Sequence, residues 1–148
     1  MDLILWRHAE AEDGTPDTTR RLTQKGERQA ERIAAWLKER LPGSPRILVS
    51  PAVRAQQTAA ALCAKFETVQ EINVGSSARR ILQVTGWPHA DGTTIVVGHQ
   101  PTLGQLAALL LAGEELNWSI KKGAVWWIQT QGGNAEPLLR AVVTPRHA

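Results

Sequence analysis

Cysteine occurs once, at Cys63, so no disulfide can close within this chain of 148 residues, which is the usage compatible with a reducing compartment. The same scarcity excludes one zinc chemistry. His8-Ala9-Glu10 copies half of the zinc deaminase signature, but the other half needs two cysteines. Long hydrophobic runs are also missing: the longest apolar block, Leu106 to Ala112, falls far short of the ~20 residues of a membrane-spanning helix. No basic leader precedes a long apolar stretch, since acidic Asp2 runs straight into a short strand-like segment. The expectation is a cytoplasmic protein with no membrane partner. Internal repeats and low-complexity tracts are absent, and the length suits one domain, residues 1–148, with a single core.

Positive charge is in modest excess, with a net charge of +3 and a pI near 9.5. Arg20-Arg21, Arg79-Arg80 and Lys121-Lys122 are basic pairs, and six tryptophans offer stacking surfaces. The pairs are scattered, the tryptophans sit mostly inside apolar patterns, and no nucleic-acid-binding fingerprint is present. Nucleic acid is therefore not expected as a partner.

Three short apolar runs each stop on functional side chains. Leu3-Ile4-Leu5-Trp6 runs into Arg7-His8, Arg46-Ile47-Leu48-Val49 into Ser50-Pro51-Ala52-Val53-Arg54, and Thr94-Ile95-Val96-Val97 into Gly98-His99. Runs without polar alternation are strands covered on both faces. Side chains at the C-terminal ends of such strands meet in the crevice where open α/β sheets bind ligands. Arg7, His8, Arg54 and His99 are thus expected at one point. A neutral imidazole is a nucleophile, guanidiniums hold phosphoryl oxygens through forked contacts, and a protonated second imidazole donates to the same oxygens. A metal site built on His8 and His99 lacks an evident third ligand and would face arginines, so no metal and no other cofactor is expected.

The rest of the chain supplies the scaffold. Ala9 to Thr19 reads as a polar loop, and Thr23 caps a helix with one buried face at Ala30, Ile33, Ala34, Leu37 and Leu41. A second helix is expected over Val53–Lys65, with Arg54 in its first turn and Cys63 packed inside its alanine-rich body. A strand over Phe66–Ile72, a helix capped by Ser76 or Ser77 and running to Val84, and a buried helix over Thr102–Leu111 follow. Val125–Thr130 and Leu138–Val143, joined by Gln131-Gly132-Gly133-Asn134, read as a hairpin-like pair. Alternating strands and helices predict an α/β three-layer sandwich whose central sheet is mainly parallel and flanked by helices. His89, in a loop, and His147, in the tail, are not site candidates.

Taken together, Arg7-His8-Ala9, Ser50-Pro51-x-x-Arg54-Ala55-x-Gln57-Thr58 and Gly98-His99 resemble the histidine phosphatases, or phosphoglycerate mutase-like superfamily. Asp17-x-x-Arg20-x-Leu22-Thr23-x-x-Gly26 is similar to a segment of the small SixA-type phosphohistidine phosphatases. Position 9 departs from the family's commoner glycine. The resemblance implies a metal-independent phosphatase working through a phosphohistidine on His8, with Arg7, Arg54 and His99 catalytic and with Arg7, Arg20, Arg54 and His99 binding the phosphoryl group. It picks Arg20 over its neighbour Arg21. The implied substrate is a phosphohistidine-bearing protein. The alternatives are a small phosphate ester, such as a sugar or nucleotide phosphate, and a non-catalytic protein that binds phosphohistidine or nucleic acid. Glu71 is the one carboxylate nominated as a general acid.

Overall fold

The sheet is built outward from Asp2–Arg7, strand β1, in a computed structural model that describes residues 1–130 and 136–148. Leu3, Ile4, Leu5 and Trp6 are fully buried. Because successive strand residues face opposite ways, Leu3 and Leu5 enter one core while Ile4 and Trp6 enter another. The first core is closed by α3 (Ala78–Thr85) and α4 (Thr102–Ala112), through Ala78, Ile81, Leu103, Leu106 and Ala107. The second is closed by α1 (Gln24–Arg40) and α2 (Val53–Ala60), through Ile33, Ala34, Leu37, Ala55 and Ala59. These are the three layers the continuous apolar runs demand.

The remaining strands are β2 (Arg46–Val49), β3 (Glu67–Thr68), β4 (Thr93–Gly98), β5 (Val125–Thr130) and β6 (Pro137–Val143). The sheet order is β3-β2-β4-β1-β5-β6. β3, β2, β4 and β1 pair in parallel, whereas β5 joins β1 and β6 joins β5 antiparallel. The sheet is therefore mixed, with its parallel part carrying the three strand ends singled out above. The connection predicted at Gln131-Gly132-Gly133-Asn134 lies outside the described residues.

Two expectations fail on the same stretch. The helix predicted over Val53–Lys65 stops at Ala60, and Cys63, expected to be packed, is exposed. The strand predicted over Phe66–Ile72 is only Glu67–Thr68, followed by a 3₁₀ turn at Gln70–Ile72. Both errors have one cause. The alanines favour helix locally, but the chain must turn back early enough to lay Glu67 and Thr68 beside Leu48 and Val49. It must then curl again to sink Ile72 into the core.

Candidate active site

Register brings the site together. In the β1–β4 ladder Arg7 lies opposite Gly98, and in the β2–β4 ladder Val49 lies opposite Val97. His8, Ser50 and His99 therefore leave the sheet at one level. The backbone fixes this: His8 N–H donates to Gly98 O at 3.0 Å and Ser50 N–H to Val97 O at 3.1 Å. The His8 and His99 ring centroids end 5.1 Å apart, with both residues buried.

The His8 ring is held in one tautomer. Its Nδ1 lies 2.8 Å from the Ala9 carbonyl. A carbonyl only accepts, so Nδ1 carries the proton and Nε2 keeps its lone pair. Arg54 Nε–H donates to that lone pair at 3.3 Å. Ala9 is fully buried, and its N–H donates to Thr58 Oγ1, whose hydroxyl donates in turn to Arg54 O. Alanine thus takes the place of glycine without strain, because its methyl joins a small apolar cluster with Leu22 and Ala30.

Arg54, only 3% exposed, is clamped from the polar loop. Its Nη1 donates to Asp17 O at 2.8 Å and its Nη2 to Asp17 Oδ2 at 3.0 Å. Arg20 Nε reaches the other carboxylate oxygen of Asp17 at 3.0 Å, and its Nη1 donates to Glu12 O. Asp17 thus fastens Arg20 and Arg54 to each other, and its own pKa falls because Arg54 hydrogen-bonds its carboxylate. Thr23 caps α1 by accepting from Gly26 N–H. Gly26 has no alternative: a Cβ there would lie 2.0 Å from Glu10 O. That close approach sets the loop against the helix and so delivers Asp17.

On the other side, Arg7 donates from Nη1 to Ile120 O at 2.9 Å, while its buried Nε has no partner among the described residues. His99 Nε2 is 2.8 Å from Ser50 Oγ, and its buried Nδ1 also has no partner among the described residues. The charges of Arg54, Arg7 and Arg20 act on His8, and His8, Arg54 and Arg20 act on His99. Sequence reading missed Asp17 as the anchor of both arginines and Ser50 as the His99 partner, although both stand inside the motifs quoted above. Glu71 lies in the 3₁₀ turn whose Ile72 packs against Gly98, beside His99. Cys63, His89 and His147 take no part.

Burial, followed by the charges of Arg54, Arg7 and Arg20, pushes the His8 pKa down to about 4 against the pull of the Ala9 carbonyl. Burial and then the neighbouring His8 and Arg54 push His99 down to about 3. Burial outweighs the arginines as the cause of the His8 shift. His99, expected to donate as an imidazolium, is neutral before any anion arrives. The consequence for stability has a definite sign. In the unfolded chain both imidazoles protonate as pH falls through about 6.5, whereas the folded protein resists to about 4 and about 3. Acidification therefore favours the unfolded chain, and stability declines progressively below pH 6.5 while staying unaffected by these groups above it. Urea unfolding at pH 7 and pH 4.5 should show a smaller loss for His8→Ala than for wild type. Equal losses would contradict the depressed His8 pKa.

Among the described residues no group of three or more histidine, cysteine, aspartate or glutamate side chains is placed to hold a metal ion. No helix among them is long and apolar enough to cross a membrane.

Known proteins resemble this chain in sequence and in fold. Residues 3–80 match the family model described as histidine phosphatase superfamily (branch 1). The phosphohistidine phosphatase SixA of Escherichia coli (strain K12) is 31% identical over 132 residues, which cover 77% of this chain and 76% of that protein. A structure of the protein histidine phosphatase SixA complexed with tungstate superposes with a TM-score of 0.80 at 25% identity, over 99% of this chain and 98% of that one. A mutant phosphoserine phosphatase from Entamoeba histolytica, in complex with phosphoserine, shares the fold at 18% identity with a TM-score of 0.73, over 99% and 98% of the two chains.

Proposed function

The chain belongs to the histidine phosphatase superfamily, in its SixA-type branch, and is a phosphatase; from that premise we propose that it hydrolyses phosphohistidine on a protein, through a phosphohistidine formed on its own His8. The observation that carries this reading is the His8 ring itself. Its Nδ1 proton is tied to Ala9 O, so the free lone pair of Nε2 points at the Arg54 guanidinium. A buried, neutral imidazole facing cations is an activated nucleophile beside an anion-binding wall.

In the proposed reaction the phosphoryl group takes over the Arg54 Nε–H now directed at His8. His8 Nε2 then attacks phosphorus in line as the bond to the leaving nitrogen breaks. Arg7, Arg20, Arg54 and His99 stabilise the charge on the equatorial oxygens. Water subsequently attacks the phosphorus, releasing inorganic phosphate and neutral His8. We take residues 1–148 as one domain serving this site, and the lone cysteine suits the cytoplasm.

The leaving group argues for a phosphorylated imidazole. An alkoxide needs a general acid, whereas an imidazole, with a pKa near ~6.5, takes up a proton and departs readily. The segments flanking the site are short and tied down. Ala11 pairs with Leu22, Glu12 N–H donates to Arg21 O, and Gln70–Ile72 is a single turn. Such a rim suits a side chain presented by a folded protein.

One observation favours the alternative substrate, a small phosphomonoester: Glu71 stands on the turn packed beside His99. Glu71→Gln is expected to leave phosphohistidine hydrolysis within about threefold of wild type. It should lower phosphomonoester hydrolysis by about 10²-fold, the usual contribution of a general acid. Specificity constants for both substrates in both proteins decide the matter. A clear preference of the wild type for the monoester, abolished by Glu71→Gln, would replace the phosphohistidine reading.

A further inference from the structure

Beside the site lies a groove of about 780 Å³ between the first half of α1, the segment 119–122 and the residues 144–147. Its walls carry Lys25, Arg28, Arg32, Lys121, Lys122 and Arg146, and among the described residues no aspartate or glutamate lines it. These six cations exceed the net charge of +3 for the whole chain, so the rest of the molecule is net negative and the positive charge is concentrated here. On α1 the basic positions 25, 28 and 32 fall on one side. Glu27 and Glu31 fall on another and stay out of the groove. Among the described residues none of the six cations pairs with a carboxylate side chain; Arg32 donates only to Ala148 O.

The groove is joined to the phosphoryl site through shared parts. Arg7 lines both. The segment that supplies Ile120 O to Arg7 continues as Lys121-Lys122, and Gly123 N–H then donates to His8 O. The backbone that braces the proposed nucleophile therefore also presents two lysines beside it.

We propose that this groove is a docking surface for the acidic face of a partner protein; on the function proposed above, the partner is the phosphohistidine carrier itself. The choice of a protein over a small polyanion follows from the lining. All six cations are exposed, on long flexible side chains. Such groups impose little shape selection, but they attract and orient a large surface of opposite charge, acting on encounter and register. A phosphohistidine projecting from a folded protein must bring its surroundings against this rim. Acidic surroundings would be drawn in and basic ones repelled.

The test is the triple variant Arg28→Gln/Lys121→Gln/Lys122→Gln in the full chain. Its substrates are an aryl phosphate and a folded protein phosphorylated on a surface histidine flanked by acidic side chains. The variant should hydrolyse the aryl phosphate within about twofold of wild type and lose about 10- to 100-fold in kcat/KM on the phosphoprotein, mostly through KM. Added salt should weaken wild-type turnover of the phosphoprotein and change that of the variant little. An octaglutamate peptide should bind wild type and not the variant, a readout that does not depend on catalysis. Phosphoprotein turnover equal in both enzymes overturns the docking surface while leaving the proposed function standing. Peptide binding lost in the variant, with no phosphoprotein hydrolysed by wild type, keeps the acidic-protein surface and removes the phosphohistidine reading. Failure of octaglutamate to bind wild type, or tighter binding of a short single-stranded oligonucleotide of equal charge, overturns the assignment to an acidic protein.

Discussion

Replacing His8 by alanine is expected to lower phosphatase activity by ~10⁴-fold or more while leaving the protein folded. The first half follows from the site: among the described residues no other side chain presents an unprotonated nitrogen at its centre, because His99 Nε2 is engaged with Ser50 and its Nδ1 is buried. The second half follows from the backbone. His8 is held by main-chain bonds from its N–H to Gly98 O and from Gly123 N–H to its own O, and both survive truncation. The ring donates one hydrogen bond to Ala9 O, accepts one from Arg54 Nε–H, and carries a burial penalty on its charged form. Circular dichroism and a cooperative melt should therefore match wild type at pH 7, while turnover of an aryl phosphate vanishes. Near-normal turnover by His8→Ala would remove the proposed nucleophile.

The second-largest effect should come from Arg54→Ala. Loss of one donor aimed at developing charge costs about 2–4 kcal/mol, or roughly 30- to 1000-fold in rate. Arg54 also touches His8 Nε2 and binds Asp17 twice, so the variant both loses an oxygen ligand and releases the loop carrying Arg20. Because the Arg54 charge helps depress the His8 pKa, its removal should move the acid limb of the rate profile upward. Arg54→Lys restores a charge but not the fork, which here serves His8 with Nε and Asp17 with both terminal nitrogens. Its recovery should be slight. A fully active Arg54→Lys would mean that charge alone matters, and a fully active Arg54→Ala would remove Arg54 from the mechanism.

The difference between what the sequence disclosed and what it concealed is physical. His8, Arg54 and His99 could be found because each follows an apolar run too uniform to be anything but a doubly covered strand, and parallel register does the rest. Thr23 could be read as a cap and Ser77 as one of two candidates, since both effects are local. The sheet order and the antiparallel seat of β5 against β1 could not be read, because pairing depends on distant partners. The same holds for Cys63, where local helix propensity was overruled by the need to place two residues beside β2. Asp17 was visible as a residue and not as an anchor. Nothing in a loop sequence says that one carboxylate will meet two arginines arriving from different elements. The groove was hidden for a similar reason. Its cations come from separate segments, and in the sequence only Lys121-Lys122 stood out, as one of several scattered basic pairs.

The central claim is a covalent phosphoryl group on His8, and trapping it is the most direct measurement. Wild-type protein mixed with a ³²P-labelled phosphoryl donor and quenched within milliseconds should carry label that is acid-labile and base-stable. Peptide mapping under alkaline conditions should place it on Nε2 of His8, with Nδ1 excluded by its bond to Ala9 O, and His8→Ala should carry none. Label found on His99, or rapid turnover with no trapped phosphohistidine at any quench time, would contradict the account.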